Sequence, residues 1–135
     1  MTKVVKVGII GSGGIARAHA KAYMQMDDVE IVGVADVIPG KAEEFIKSLE
    51  LNGAKPFDNH RHLLELDLDG VSICTPNVAH HETTVDAATA GKHVLVEKPL
   101  SVTLEQGVEM VQAAKKADKI LSVGFQPRYD PNMKA

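Results

Sequence analysis

Cysteine occurs once in this chain, at position 74, so no intrachain disulfide can form and no cysteine-based zinc site can be assembled. Cys74 lies inside an apolar run, which marks it as a packed core thiol and suits a reducing cytoplasm. No apolar run approaches the roughly 20 residues that span a bilayer. Met1-Thr2-Lys3 leads straight into a strand-like segment rather than a signal peptide, so no membrane partner is expected. Positive charge is sparse and scattered. Fifteen Lys and Arg face eighteen Asp and Glu for a net charge of -3, and Lys115-Lys116 is the densest basic pair. That distribution gives no footprint for nucleic acid. With 44% apolar and 24% charged residues, the 135 positions suit a single globular domain.

Short β-rich runs alternate with helix-like segments along the whole chain. Strands are predicted at Val4–Ile10, Val29–Ala35, Ala54–Phe57, Val71–Cys74, His93–Val96 and Ile120–Gly124. Helices are predicted over Gly14–Gln25, Gly40–Leu49 and Ala79–Ala90, with a helical turn around Arg61–Leu66. A last helix starts at Thr103, which can cap it while Gln106 reaches back, and its apolar face would carry Leu104, Val108 and Val111. Alternation of this kind, with continuous apolar strands, predicts an α/β fold: a doubly wound parallel sheet of order 3-2-1-4-5-6. The domain is expected to close at residue 125. "QPRYDPNMKA", residues 126–135, reads as the start of a connection to something further.

Gly11-Ser12-Gly13-Gly14-Ile15-Ala16 joins the first strand to the first helix and matches G-x-G-x-x-G/A. Glycines also occur in ordinary tight turns, but this match follows a strand and opens a helix. Gly11 permits the turn, Gly13 lacks the Cβ that would hold a pyrophosphate off the backbone, and Ala16 allows close helix packing. The helix N-terminus offers N–H groups and partial positive charge to phosphates. Asp36 ends the second strand roughly 20 residues on, where a carboxylate accepts from ribose hydroxyls and repels a 2′-phosphate. Val37 follows it and Lys41 is the only nearby cation, so NAD is favoured over NADP.

Loops at strand carboxyl ends beside the order reversal line the ligand crevice. Thr75-Pro76-Asn77 therefore flanks the dinucleotide, although Pro76-Asn77 alone would read as turn chemistry with a helix cap. His80 and His81 alone would read as a solvated helix face, and adjacent helical positions diverge, so at most one faces the crevice. His60 and His62 lack further ligands, and no metal is expected there. Glu97-Lys98-Pro99 ends the fifth strand on the same sheet edge. A lysine there could hold a substrate hydroxyl and stabilise charge developing on its oxygen. In an arbitrary sequence an exposed Lys-Pro turn paired with Glu97 would serve as well.

Taken together, Gly11–Ala16, Asp36, Thr75-Pro76-Asn77 with His80, "AGKHVLVEKPL" (Ala90–Leu100) and "VGFQPRYDP" (Val123–Pro131) resemble the glucose–fructose oxidoreductase/inositol dehydrogenase (Gfo/Idh/MocA) family. The resemblance covers nearly the whole chain. It implies a Rossmann domain that normally continues into a substrate domain on a large open sheet, through which the protein would form a homo-oligomer. It also implies hydride exchange between a nicotinamide cofactor and sugars, inositols or related polyols, with Lys98 on the reacting hydroxyl. An aspartate and a histidine of the second domain would complete the set. The cofactor contacts it implies are Gly11 to Ala16, Asp36, Thr75, Pro76, Asn77, His80, Glu97, Lys98, Gln126 and Arg128. Pro127 departs from the family pattern, which often has arginine there. The resemblance further implies a cis Lys98–Pro99 bond. Two alternatives stay open: a nucleotide-binding sensor or regulator without turnover, and an NADP-dependent reductase of the same family.

Overall fold

A computed structural model describes residues 3–124 of the protein. Gln126 and Arg128 lie outside the described residues. The strands are β1 (Val5–Ile10), β2 (Val29–Ala35), β3 (Lys55–Phe57), β4 (Gly70–Ile73), β5 (His93–Glu97) and β6 (Leu121–Gly124). All pair in parallel in one sheet of order β3-β2-β1-β4-β5-β6, as the alternation predicts. The helices are α1 (Gly14–Met24), α2 (Lys41–Ser48), α3 (His60–Leu63), α4 (His80–Thr89) and α5 (Leu104–Lys116), and a 3-10 turn over Asn77–Ala79 leads into α4. No helix among the described residues is long and apolar enough to cross a membrane.

Both faces of the sheet are covered, and successive strand residues serve opposite faces. Ile9, Val34 and Cys74 pack with Ala16 and Ala20 of α1 and Ala42 and Phe45 of α2. Their neighbours Ile10, Ala35 and Ile73 join Val94 and Val96 against Leu63, Ala87 of α4 and Met110 of α5. Buried on both faces, the strands need no alternation of polar and apolar residues. Ala16 and Ala20 are fully buried, so α1 lies close on the sheet and its N-terminus is held at the carboxyl end of β1.

Three expectations are corrected. The buried face of α5 is Gly107, Met110 and Ala114, while Leu104, Val108 and Val111 are exposed. A Cβ at Gly107 would stand 2.9 Å from Ser101 Oγ, so the helix approaches through its smallest residue rather than its largest. Thr103 does cap α5, accepting from the Gln106 N–H at 3.2 Å, but Gln106 Oε1 is buried without a partner and the reciprocal bond is absent. The β5 ladder continues through Glu97, which pairs with Gly124, so the acid belongs to the strand and the lysine to the loop.

Cys74 is buried, and burial first, with the Glu97 carboxylate second, pushes its thiol up to about 12. The thiolate is the reactive form, so a thiol reagent near pH 8 should label the native protein at least about a hundredfold slower than the unfolded chain. Equal rates, read by absorbance of the released chromophore, would contradict a packed thiol.

Candidate functional site

The carboxyl ends of β1, β2, β4 and β5 bring the glycine loop, Asp36, Thr75–Asn77 and Lys98 to one edge of the sheet. The order reverses between β1 and β4, and the crevice opens there. Gly11 has φ +93°, and its N–H donates to the Ala35 carbonyl at 2.8 Å. A Cβ on Gly11 would stand 2.6 Å from the Cys74 carbonyl oxygen, so the turn presses directly on the β4 exit. Gly13 and Gly14 differ. A Cβ on either meets no atom of the described residues within 4 Å, so their missing side chains leave space open. α1 starts there with no side-chain cap and no acid in its first turn, leaving the positive end of the helix unneutralised. Ile15 is exposed on this first turn while Ala16 faces the core.

Asp36 is tied to that loop. Its Oδ2 accepts from Ser12 N–H at 3.0 Å and Ser12 Oγ–H at 2.5 Å, and its Oδ1 accepts from Ile38 N–H at 2.9 Å. Lys41 Nζ stands 3.9 Å away. Burial pushes the carboxyl up, but the bonds from Ser12 and Ile38 and the Lys41 charge outweigh it, and the net shift is downward. Asp36 is therefore an ionised acceptor at neutral pH. The stability its bonds add is present above the ordinary carboxyl range and is lost as pH falls through the depressed folded value. Ser12 spends its buried hydroxyl on this carboxylate.

Between Asp36 and the β4 exit lies a cavity of about 270 Å³, lined by Gly11, Asp36, Val37, His60, Pro76 and Val78 among others. Thr75 Oγ1, on the β4 exit loop, is buried with no hydrogen-bond partner among the described residues. Pro76 and Asn77 are exposed. The open space at Gly13 and Gly14, the uncapped helix end, the ionised acid and the adjoining cavity fit a dinucleotide. The loop amides would hold its pyrophosphate and Asp36 its ribose.

At the other end, Lys98 is exposed and forms no ion pair with the described residues, and the Lys98–Pro99 bond is cis. Glu97 does not pair with it. The carboxylate turns inward to His19 Nε2 of α1 at 2.6 Å, and the turn reading of a Glu97–Lys98 pair fails. His80 is a second correction. It is fully buried rather than solvated, with Nδ1 at 2.8 Å from the Pro99 carbonyl and Nε2 at 3.1 Å from the Thr75 carbonyl. Neither nitrogen is left for a direct contact with a dinucleotide. Its neighbour His81 faces outward, 3.2 Å from Glu109.

His19, Ser72 and Tyr23 were not expected to matter, and they form a part-buried chain that ends on Glu97. Tyr23 OH lies 2.5 Å from Ser72 Oγ, which lies 3.0 Å from His19 Nδ1. Burial pushes the Tyr23 hydroxyl upward, so it remains a donor. The signal available in the sequence was Ser72, a polar residue inside the apolar run "VSIC".

The family described as "Oxidoreductase family, NAD-binding Rossmann fold" matches residues 5–125. The chain belongs to it. Among curated relatives, it is 40% identical over 124 residues to the glucose-6-phosphate 3-dehydrogenase of Bacillus subtilis, covering 92% of this chain and 34% of that protein. It is 35% identical over 130 residues to the myo-inositol 2-dehydrogenase of Thermotoga maritima, covering 96% and 39%. A WlbA dehydrogenase from Chromobacterium violaceum, solved with NADH and UDP-GlcNAcA, superposes with TM-score 0.90 at 30% identity over 98% of this chain and 38% of that one. A structure described as a putative NADPH-dependent oxidoreductase from Desulfitobacterium hafniense superposes with TM-score 0.89 at 29% identity over the same shares, 98% and 38%. The chain thus spans little more than a third of the length of the proteins it matches, and within that span it is an NAD(P)-binding Rossmann domain.

Proposed function

We propose that this chain is the cofactor domain of an NAD-dependent dehydrogenase that oxidises or reduces a CH–OH group of a sugar, inositol or related polyol. The observation that carries the reading is Lys98, exposed on the sheet edge that also holds the glycine loop and Asp36. When bound, the nicotinamide ring supplies the hydride chemistry at C4. Lys98 would donate a hydrogen bond to the substrate oxygen and stabilise the negative charge that develops there during oxidation. The proton itself needs a group within hydrogen-bond reach, and the resemblance assigns that group to an aspartate or histidine of a further domain. Self-association through that domain and a cytoplasmic location belong to the same proposal. The test is a panel of sugars and inositols with NAD, followed by nicotinamide absorbance, on the full reading frame that contains residues 1–135. NADH binding with no oxidation across the panel would instead support a sensor or regulatory module.

The choice of NAD rests on Asp36, whose ionised carboxylate would repel a 2′-phosphate. Lys41, 3.9 Å from it, offsets part of that repulsion. Fluorescence titration should give clearly tighter NADH than NADPH binding, and Asp36→Ser should narrow the gap. Equal affinities in the unaltered protein would sink the preference.

A further inference from the structure

Lys98 has one neighbour on each side, and each of them is held by a different histidine. Glu97 Oε1 lies 2.6 Å from His19 Nε2, on the α1 face of the sheet. The Pro99 carbonyl lies 2.8 Å from His80 Nδ1, on α4. The second nitrogen of His19, Nδ1, lies 3.0 Å from Ser72 Oγ on β4. His80 Nε2 lies 3.1 Å from the Thr75 carbonyl, but both atoms facing this ring are carbonyl oxygens, and a neutral imidazole has one N–H to give. We propose that His19 and His80 are positioning residues that brace the lysine loop from both faces of the sheet, His19 tying Glu97 to β4 and His80 tying Pro99 to α4, and so fixing where Lys98 projects.

The donor pattern supports a rigid brace. A carboxylate only accepts, so His19 donates from Nε2; of the two carbonyls that face His80, the nearer, Pro99 at 2.8 Å, is assigned its single N–H, on Nδ1. His19 then accepts at Nδ1 from the Ser72 hydroxyl, which in turn accepts from Tyr23, and every member of that chain is satisfied. His80 has no exposed surface, and His19 with Glu97 is nearly buried, so water competes little for these bonds. Among the described residues, Lys98, Leu100 and Ser101 make no backbone–backbone hydrogen bonds outside the helices and strands; Leu100 packs on the core and Ser101 Oγ donates to the Thr103 carbonyl, while the two histidines hold the residues that directly flank Lys98. A catalytic group must hold its place to a fraction of an ångström, and side chains that lock its neighbours supply that precision. The inference rests on the role proposed for Lys98 but makes a claim about the loop that needs no substrate.

The test exploits the different nitrogens. Asparagine places its donor amide where a histidine has Nδ1, and glutamine places it where a histidine has Nε2. His80→Asn should keep the bond to Pro99 and His80→Gln should lose it. At position 19 the order is crossed: His19→Gln should keep the bond to Glu97 and His19→Asn should lose it. Backbone amide NMR order parameters of Lys98, Leu100 and Ser101 are measured in the 135-residue chain without ligand, beside a thermal melt. Losing one anchoring bond should lower them from about 0.85, the value of rigid backbone, to below about 0.6 in His80→Gln and His19→Asn, with their partner variants close to the parent. A pattern that does not cross, or no change in any variant, overturns the brace. Loss of the cooperative melt in all four assigns the histidines to the core and overturns it too. Failure of the lysine's own role would show separately, as unchanged turnover in Lys98→Ala while the order-parameter pattern still crosses.

Discussion

Gly13→Val is expected to remove dinucleotide binding and leave the domain folded, whereas Gly11→Ala, two residues earlier, is expected to damage the fold itself. Gly13 has φ -87°, a value open to any residue, and a Cβ there meets no atom of the described residues within 4 Å. The valine methyl groups would instead fill the space over the first amides of α1, which a pyrophosphate must approach. NADH affinity should fall roughly 100-fold or more, about 2.7 kcal/mol, with little change in Tm. Gly11 sits at φ +93° with the Cys74 carbonyl oxygen 2.6 Å from a would-be Cβ. Left-handed strain and the collision with backbone should together cost more than about 2 kcal/mol and lower Tm by on the order of 10 °C. Fluorescence titration and a melt on both variants separate the two roles. Unchanged NADH binding in a folded Gly13→Val protein would take the loop out of the site.

The contrast between the two glycines also shows what a sequence pattern can carry. Gly11 to Ala16 and Asp36 are legible because each is tied to a fixed place on a strand–turn–helix unit, and the backbone decides their surroundings. The order of strands is legible for a related reason: apolar β-branched runs alternating with helices leave few right-handed ways to build a sheet. Side-chain direction is less readable. On α5, Leu104, Val108 and Val111 share one face and Gly107, Met110 and Ala114 share another, and both sets satisfy helical spacing. Close approach at Gly107 favours the second set, a steric fact that hydrophobicity does not record. His80 misleads similarly, since a histidine beside a histidine at a helix start looks solvated until the cis-proline loop is brought over it. Asp36 acquires an unforeseen partner too. In the folded protein it fastens the Ser12 amide and hydroxyl, so Asp36 and the glycine loop are one hydrogen-bonded unit.

Lys98→Ala is expected to lower kcat by roughly 100- to 1000-fold in the full reading frame that contains this chain, the range found when one donor to a developing oxyanion is removed. The ammonium is exposed, with no ion-pair partner among the described residues, so its removal leaves no buried charge unmatched and should not disturb folding. NADH affinity should change only a few-fold, because the proposed pyrophosphate and ribose contacts belong to Gly11–Ala16 and Asp36, on other loops. Lys98→Arg should recover little. A planar guanidinium on a loop held in place by its two neighbours presents its donors at a different depth and angle from a compact ammonium. Measuring kcat, KM and NADH affinity for both variants discriminates among three outcomes. Loss of kcat with cofactor binding preserved places Lys98 on the reacting oxygen. Parallel loss of NADH affinity and turnover would make it a cofactor ligand with no separate catalytic part. Full activity in Lys98→Ala would leave the crevice with a dinucleotide and without chemistry, the outcome that favours a binding module over a dehydrogenase.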